Sequence, residues 1–220
     1  KLIANKNDDY RFFILKQNLN LNFKKKIILN PKTNIDQLKI LHVTNFNERH
    51  NGRLFYNTGR RINNGFIRLN HSVLELSDRD IVSYSRKIND PKGSKNLNNK
   101  IIEVISNYLP DLIVFGHADL INNQTIEFIK KNYPATKLCQ WFLDRMDDQW
   151  KKNKKRFLEK MNLMDANFCT TDPHSLKFNK INNVYYMPNC VDHSLEKLKI
   201  YDNNYFKSDV FFAMSHGVHR

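Results

Sequence analysis

The sequence is short of several things that would settle its class. Of its 220 residues only 3 are Cys. An odd, sparse set of thiols excludes a disulfide scaffold and points to a reducing compartment. No run of about 18 apolar residues occurs, so no membrane-spanning helix is expected. The opening Lys1-Leu2-Ile3-Ala4-Asn5-Lys6 has neither the apolar core nor the small-residue cleavage site of a signal peptide. Glycine is scarce, at 6 residues, and none falls in a G-x-x-x-x-G-K-[ST] or G-x-G-x-x-G pattern, which excludes the familiar nucleotide-binding fingerprints. There is no G-x-S-x-G nucleophile elbow. Zinc fingers, RNP aromatics and heptad-linked basic regions are also missing, so nucleic acid is not an expected partner.

What is present is apolar material and positive charge. Hydrophobic residues make up 40% of the chain and aromatics 12%, enough for a core in a domain that buries roughly 70% of its unfolded surface. Lys and Arg number 36 against 22 Asp and Glu, a formal net charge of +14. Such a balance suits phosphorylated substrates or an anionic membrane face. It also follows from a composition rich in Lys, Asn and Ile and poor in Ala and Gly, with no ligand involved.

Along the chain, apolar strands alternate with amphipathic helices about six times. Strands are predicted at 38–44, 72–76, 111–115, 136–142, 166–171 and 183–187, with helices at 56–70, 98–109, 123–133, 148–161 and 173–179. Residues 111–115 are apolar throughout, as in a strand covered on both faces. The alternation predicts an α/β fold with a doubly wound parallel sheet. Residues 1–36 read as a peripheral extension or hairpin, 37–200 as the Rossmann-like domain, and 90–100 as a Lys/Asn-rich mobile loop. Asp209 to Gly217 reads as a strand entering a glycine turn. Residues 206–220 are therefore expected to open a second domain, and the chain to be a fragment inactive on its own.

In open α/β sheets ligands bind at the carboxyl ends of the strands, so the predicted strands nominate site residues. The first is followed by Asn47, Gly52 and Arg53, the third by Gly116, His117 and Asp119, the fourth by Asp144 and Arg145, and the last by Asn189 and Asp192. His117 is the sharpest candidate, able either to hydrogen-bond a substrate hydroxyl and move its proton or to serve only a neighbouring carbonyl. Asp144 to Asp148 could hold a divalent cation or cap the basic helix that follows; capping is favoured. Asp78-Arg79-Asp80 is a D-x-D, read as a solvated loop rather than a metal site. His216 and His219 have H-x-x-H spacing but no nearby third ligand, so no metal is expected there. His216, Gly217, His219 and Arg220 instead suit a phosphate cradle. Cys139 and Cys169 read as buried strand residues. Lys151, Lys152, Lys154, Lys155 and Arg156 read as one solvated helix face, with attraction to anionic lipid as the functional alternative.

Val184-Tyr-Tyr-Met-Pro188-Asn189-Cys190-Val191-Asp192 resembles the P-N-G-V-D segment that closes the N-terminal domain of many GT-B glycosyltransferases. Gly116-His117-Ala118-Asp119 and Gln140-Trp141-Phe142-Leu143-Asp144 resemble the spore-maturation CgeB-like branch. The resemblance spans about residues 37–220, and Cys190 departs from the usual Gly. It implies a cytoplasmic two-domain enzyme, with an inner-membrane peripheral position as an extension. A nucleotide-sugar would be the co-substrate, a glycan, lipid-linked or protein acceptor the partner, and no metal would be needed. His117 would be catalytic. Asn47, Gly52, Arg53, Asp144 and Arg145 would bind substrate, and His216, Gly217, His219 and Arg220 the donor diphosphate. The rival reading is a non-catalytic basic module that binds an anionic polymer or a membrane surface.

Overall fold

The computed structural model describes residues 37–88, 90–178 and 183–196. The peripheral extension predicted at 1–36 and the strand and glycine loop predicted at 206–220 lie outside these, as do His216, Gly217, His219 and Arg220. Six strands form one sheet: β1 Lys39–Thr44, β2 Ser72–Ser77, β3 Leu112–Gly116, β4 Lys137–Phe142, β5 Ala166–Cys169 and β6 Val184–Tyr186. Their order is β2-β1-β3-β4-β5-β6, and every pairing is parallel. Five α-helices connect them: α1 Thr58–Arg68, α2 Asp78–Tyr84, α3 Ser94–Tyr108, α4 Asn123–Asn132 and α5 Lys151–Met161. This is the α/β, Rossmann-like doubly wound architecture.

Alternation along the strands sorts the core. On one face Ile40, Val114, Cys139, Trp141 and Ala166 pack against Ile62 and Phe66 of α1. On the other, Leu41, Val43, Ile113, Phe115 and Leu138 meet Leu97, Ile101 and Ile105 of α3 and Ile126 and Ile129 of α4. At the β5 end of that face, Phe142 and Cys169 meet Phe157 and Met161 of α5. With both faces covered, the strands carry apolar residues at successive positions rather than alternate ones. Cys139 and Cys169 are buried in their strands, and burial pushes both thiols up to about 12, which makes them poor nucleophiles.

Three local expectations are corrected. Residues 173–177 form turns rather than a helix; Asp172 accepts from the N–H groups of His174 and Ser175 and closes the chain tightly there. The predicted 90–100 loop ends at Gly93, because the Asp90 carboxylate accepts from the N–H groups of Lys95 and Asn96 and so caps α3. Leu97 is then fully buried. The D-x-D segment is not a solvated loop but the start of α2, with Asp78 and Asp80 both buried.

β1 lies between β2 and β3, so the chain leaves it in one direction along the sheet and returns on the other side. Such a reversal opens a crevice beyond the carboxyl ends of the strands.

Candidate functional site

A cleft of about 380 Å³ occupies that crevice. Its lining comes from the end of β1 (Thr44, with Asn45 after it), the start of α1 (Asn57, Thr58 and Gly59) and the start of α2 (Asp78 and Arg79). The ends of β3 (Gly116 and His117) and β4 (Trp141, Leu143 and Asp144), with Arg156 of α5, complete it.

Glycine makes the crevice possible. A Cβ on Gly116 would lie 2.2 Å from Thr44 Oγ1 and 2.6 Å from Trp141 Cζ2. A Cβ on Gly59 would lie 2.7 Å from Thr44 Cγ2. Both are closer than any real contact, so α1 and β3 approach β1 only with these side chains absent. His117 and Ala118 follow with φ of 66° and 47°. Consecutive non-glycine residues in the left-handed region are uncommon, and such backbone strain concentrates at functional sites. The turn presents His117 at the cleft wall, its N–H donating to the Trp141 carbonyl (2.9 Å).

The His117 ring stands between Trp141 (centroids 5.5 Å apart, edge-on) and Phe142 (4.6 Å). Its Nδ1 is 3.6 Å from Asp144 Oδ2. Burial among these rings outweighs the pull of Asp144 and Asp119 and lowers the imidazole below its usual range. It is therefore neutral at pH 7 and able to accept a proton.

Two guanidiniums flank it. Asp119 accepts from Arg79 through both oxygens (3.1 and 2.9 Å) and from Arg156 (2.9 Å). Arg156 also reaches Asp144 (3.5 Å). One carboxylate thus aims two cations at the cleft. Opposite them, the α1 N-terminus leaves the N–H groups of Thr58 and Gly59 without partners among the described residues, since Asn57 Oδ1 takes only Arg60 N–H (2.9 Å).

Asp78 is buried. Burial, more than the opposing Arg79 N–H and charge, pushes its carboxyl up to about 6. Asp80 differs two residues on. Burial raises it, but hydrogen bonds from Ser77, the Glu48 N–H and Arg49 prevail and hold it below the usual carboxylate range. Asp80 anchors the loop after β1, while Asp78 faces the cleft, so this D-x-D does not work as a chelating pair. Among the described residues, no three His, Cys, Asp or Glu side chains gather as a metal-holding group.

Of the sequence-predicted site residues, Gly116, His117 and Asp144 line the cleft; Asn47, Gly52, Arg53, Asp119, Arg145, Asn189 and Asp192 do not. Asn47 takes a left-handed turn (φ 60°) and is bound by Asn45 and the Leu54 carbonyl. Gly52 is left-handed too (φ 83°), with open space where a Cβ would stand. Arg53 beside it is exposed. Arg145 points outward and pairs with Asp147 (2.5 Å), and Asp147 caps the turn before α5 through the Gln149 N–H. Asp192 is buried against α1, accepting from Arg68 (2.7 Å), Asn64 (2.7 Å) and Ser194; the Arg68 guanidinium, above all, holds its carboxyl far below the usual range.

Sequence reasoning missed Thr44, Arg79, Trp141 and Arg156 and read Asp78 as solvated. Arg156 was grouped with the solvated basic face, yet it lies beside Phe157, which marks the inner stripe of α5. Lys151, Lys152 and Lys155 are exposed on that helix beside a half-exposed Trp150.

The chain matches no protein-family model and no curated protein. Among the described residues no helix is long and apolar enough to cross a membrane.

Proposed function

We propose that the chain transfers a sugar from a nucleotide-sugar to a hydroxyl-bearing acceptor, and that the described domain is the acceptor-side half of a GT-B-type glycosyltransferase. One observation carries the reading: a neutral His117 shares a cleft with two guanidiniums and two carboxyls at the point where the sheet reverses. The transfer breaks the bond between the sugar's anomeric carbon and the diphosphate oxygen and forms one to the acceptor oxygen. The acceptor's proton passes to His117, and the diphosphate leaves with the electron pair. Arg79 and Arg156 supply fixed positive charge near that developing anion, and the sheet's strand ends hold the parts in place. The sequence resemblance to GT-B enzymes supports the choice of sugar among the groups such a cleft could transfer.

The test is turnover of a panel containing UDP-glucose, UDP-N-acetylglucosamine and GDP-mannose by the full-length protein, scoring both transfer and hydrolysis. Replacing His117 with Ala should lower whatever turnover is found by about 100-fold, the usual contribution of one positioned proton acceptor. Undiminished turnover removes His117 from the chemistry, and no turnover of any donor removes the assignment.

A further inference from the structure

Two polar side chains at the base of the cleft are buried and yet incompletely bonded. Thr44 is 2% exposed. The residue lines the cleft, and its hydroxyl has no hydrogen-bond partner among the described residues. Gly116 and Gly59, on different elements, are both bare against this side chain: their missing Cβ atoms would fall 2.2 and 3.2 Å from Oγ1. Both glycines thus pack bare backbone closely against Thr44 and bring no side-chain partner to its hydroxyl. Asp78 is also 2% exposed. Its Oδ1 accepts the Arg79 N–H (2.6 Å), and Oδ2 has no hydrogen-bond partner among the described residues. Both residues line the same cleft and leave neighbouring strands at the same level, since Thr44 pairs with Ser77 and Asp78 is the next residue.

Among the described residues the one sealed side-chain atom without a partner is Gln140 Oε1, so the free oxygens of Thr44 and Asp78 are not sealed in the core but reach the cleft, where an entering ligand can bond them. We propose that Thr44 and Asp78 form a subsite that takes adjacent hydroxyls of a polyol ring, one donating to Asp78 Oδ2 and its neighbour exchanging a hydrogen bond with Thr44 Oγ1. This rests on the sugar-transfer reading and specifies where the ring sits within it. A carboxylate oxygen only accepts, whereas a threonine hydroxyl both donates and accepts. That pairing complements a vicinal diol, each of whose hydroxyls does both. An anionic group would meet the carboxylate's charge, and an apolar one would leave both oxygens unpaired. Trp141 and Leu143 supply an apolar wall for the ring's C–H face.

A hydroxyl that donates to Asp78 favours its ionised form and draws its titration downward. Arg79, Asp80 and Asp119 act on the same carboxyl, and His117, Asp144 and Arg156 share the cleft. These charges are common to the free and bound protein.

The experiment follows the Asp78 carboxyl by carbon-13 NMR in the full-length protein, the resonance being assigned by its loss in Asp78→Asn. Methyl glucoside, methyl mannoside, methyl galactoside and myo-inositol are titrated to about 100 mM, a range that reveals millimolar binding. At least one should lower the Asp78 midpoint and shift the amides of Gly59 and Gly116. Thr44→Val should weaken that ligand by about threefold to tenfold, the worth of one neutral hydrogen bond, and Thr44→Ser should restore it. The subsite is overturned if no polyol moves Asp78, or if Thr44→Val and Thr44→Ser both bind like the unaltered protein. Polyol binding without turnover of any nucleotide-sugar leaves the subsite standing and overturns transfer. Transfer that is indifferent to Thr44→Val in both kcat and KM does the reverse.

Discussion

Replacing Asp78 with Asn makes the burial argument measurable. Asp78 is 2% exposed at the start of α2, and its carboxyl is moved from 3.8 to about 6. The folded state therefore binds the proton more tightly than the unfolded chain, and stability falls as pH rises through that window. Linkage gives a loss of up to about 3 kcal/mol by pH 7, about half of it already incurred at pH 5. Asn has the same shape, can still accept the Arg79 N–H and never ionises. The variant should match the unaltered protein near pH 4 and exceed it progressively above, by up to about 3 kcal/mol at pH 7. Urea unfolding from pH 4 to 8, followed by circular dichroism, reads the difference directly. The difference profile matters because the unaltered protein hides the effect. His42 is buried beneath Phe46, Phe66 and Trp141, and burial lowers it to about 4. It must charge on unfolding in acid, so its contribution is lost as pH falls from 6.5 toward 4, opposite in sign and of similar size. Asp78→Asn should therefore expose a steeper acid instability than the parent shows. Equal pH slopes in the two proteins would refute the claim that Asp78 is held protonated by burial.

Gly116→Ala should cost about 1–3 kcal/mol, since its methyl collides with Thr44 and Trp141 at the crowded end of β3; an unchanged urea midpoint would show that the strands separate without penalty. Asp192→Asn should destabilise by about 1–3 kcal/mol at neutral pH by weakening the bonds to Arg68, Asn64 and Ser194. The depressed Asp192 carboxyl stabilises above the ordinary carboxylate range and loses that contribution as pH falls through it, so the deficit should shrink in acid. A deficit that is independent of pH would show that the charge on Asp192 is not what holds α1.

The fold was legible because a parallel sheet covered on both faces leaves a direct trace: β1 and β3 are near-continuous apolar runs, and the helices between them carry apolar stripes. The helix α2 left no such trace. It has only seven residues, opens on Asp78-Arg79-Asp80, and owes its place to Asp80 receiving the Glu48 and Arg49 amides from a loop 31 to 32 residues away. The site followed a finer rule than the one that nominated it. Asn45, Asp78, His117 and Asp144, all within two residues of a strand end, line the cleft. Asn47, Gly52, Arg53, Asp119 and Arg145 stand three or more residues beyond one, and none lines it. The ladder hydrogen bonds of the sheet dictate where the next one or two residues point. Beyond that the chain is already turning back toward its helix, and local bonds such as Asn45 to Asn47 or Arg145 to Asp147 decide direction instead. Arg79 and Arg156 enter by another route, from helices, and Asp119 draws both of them inward. Asp119 therefore shapes the cleft's charge without bordering it, a role visible only once three elements distant in sequence are brought together.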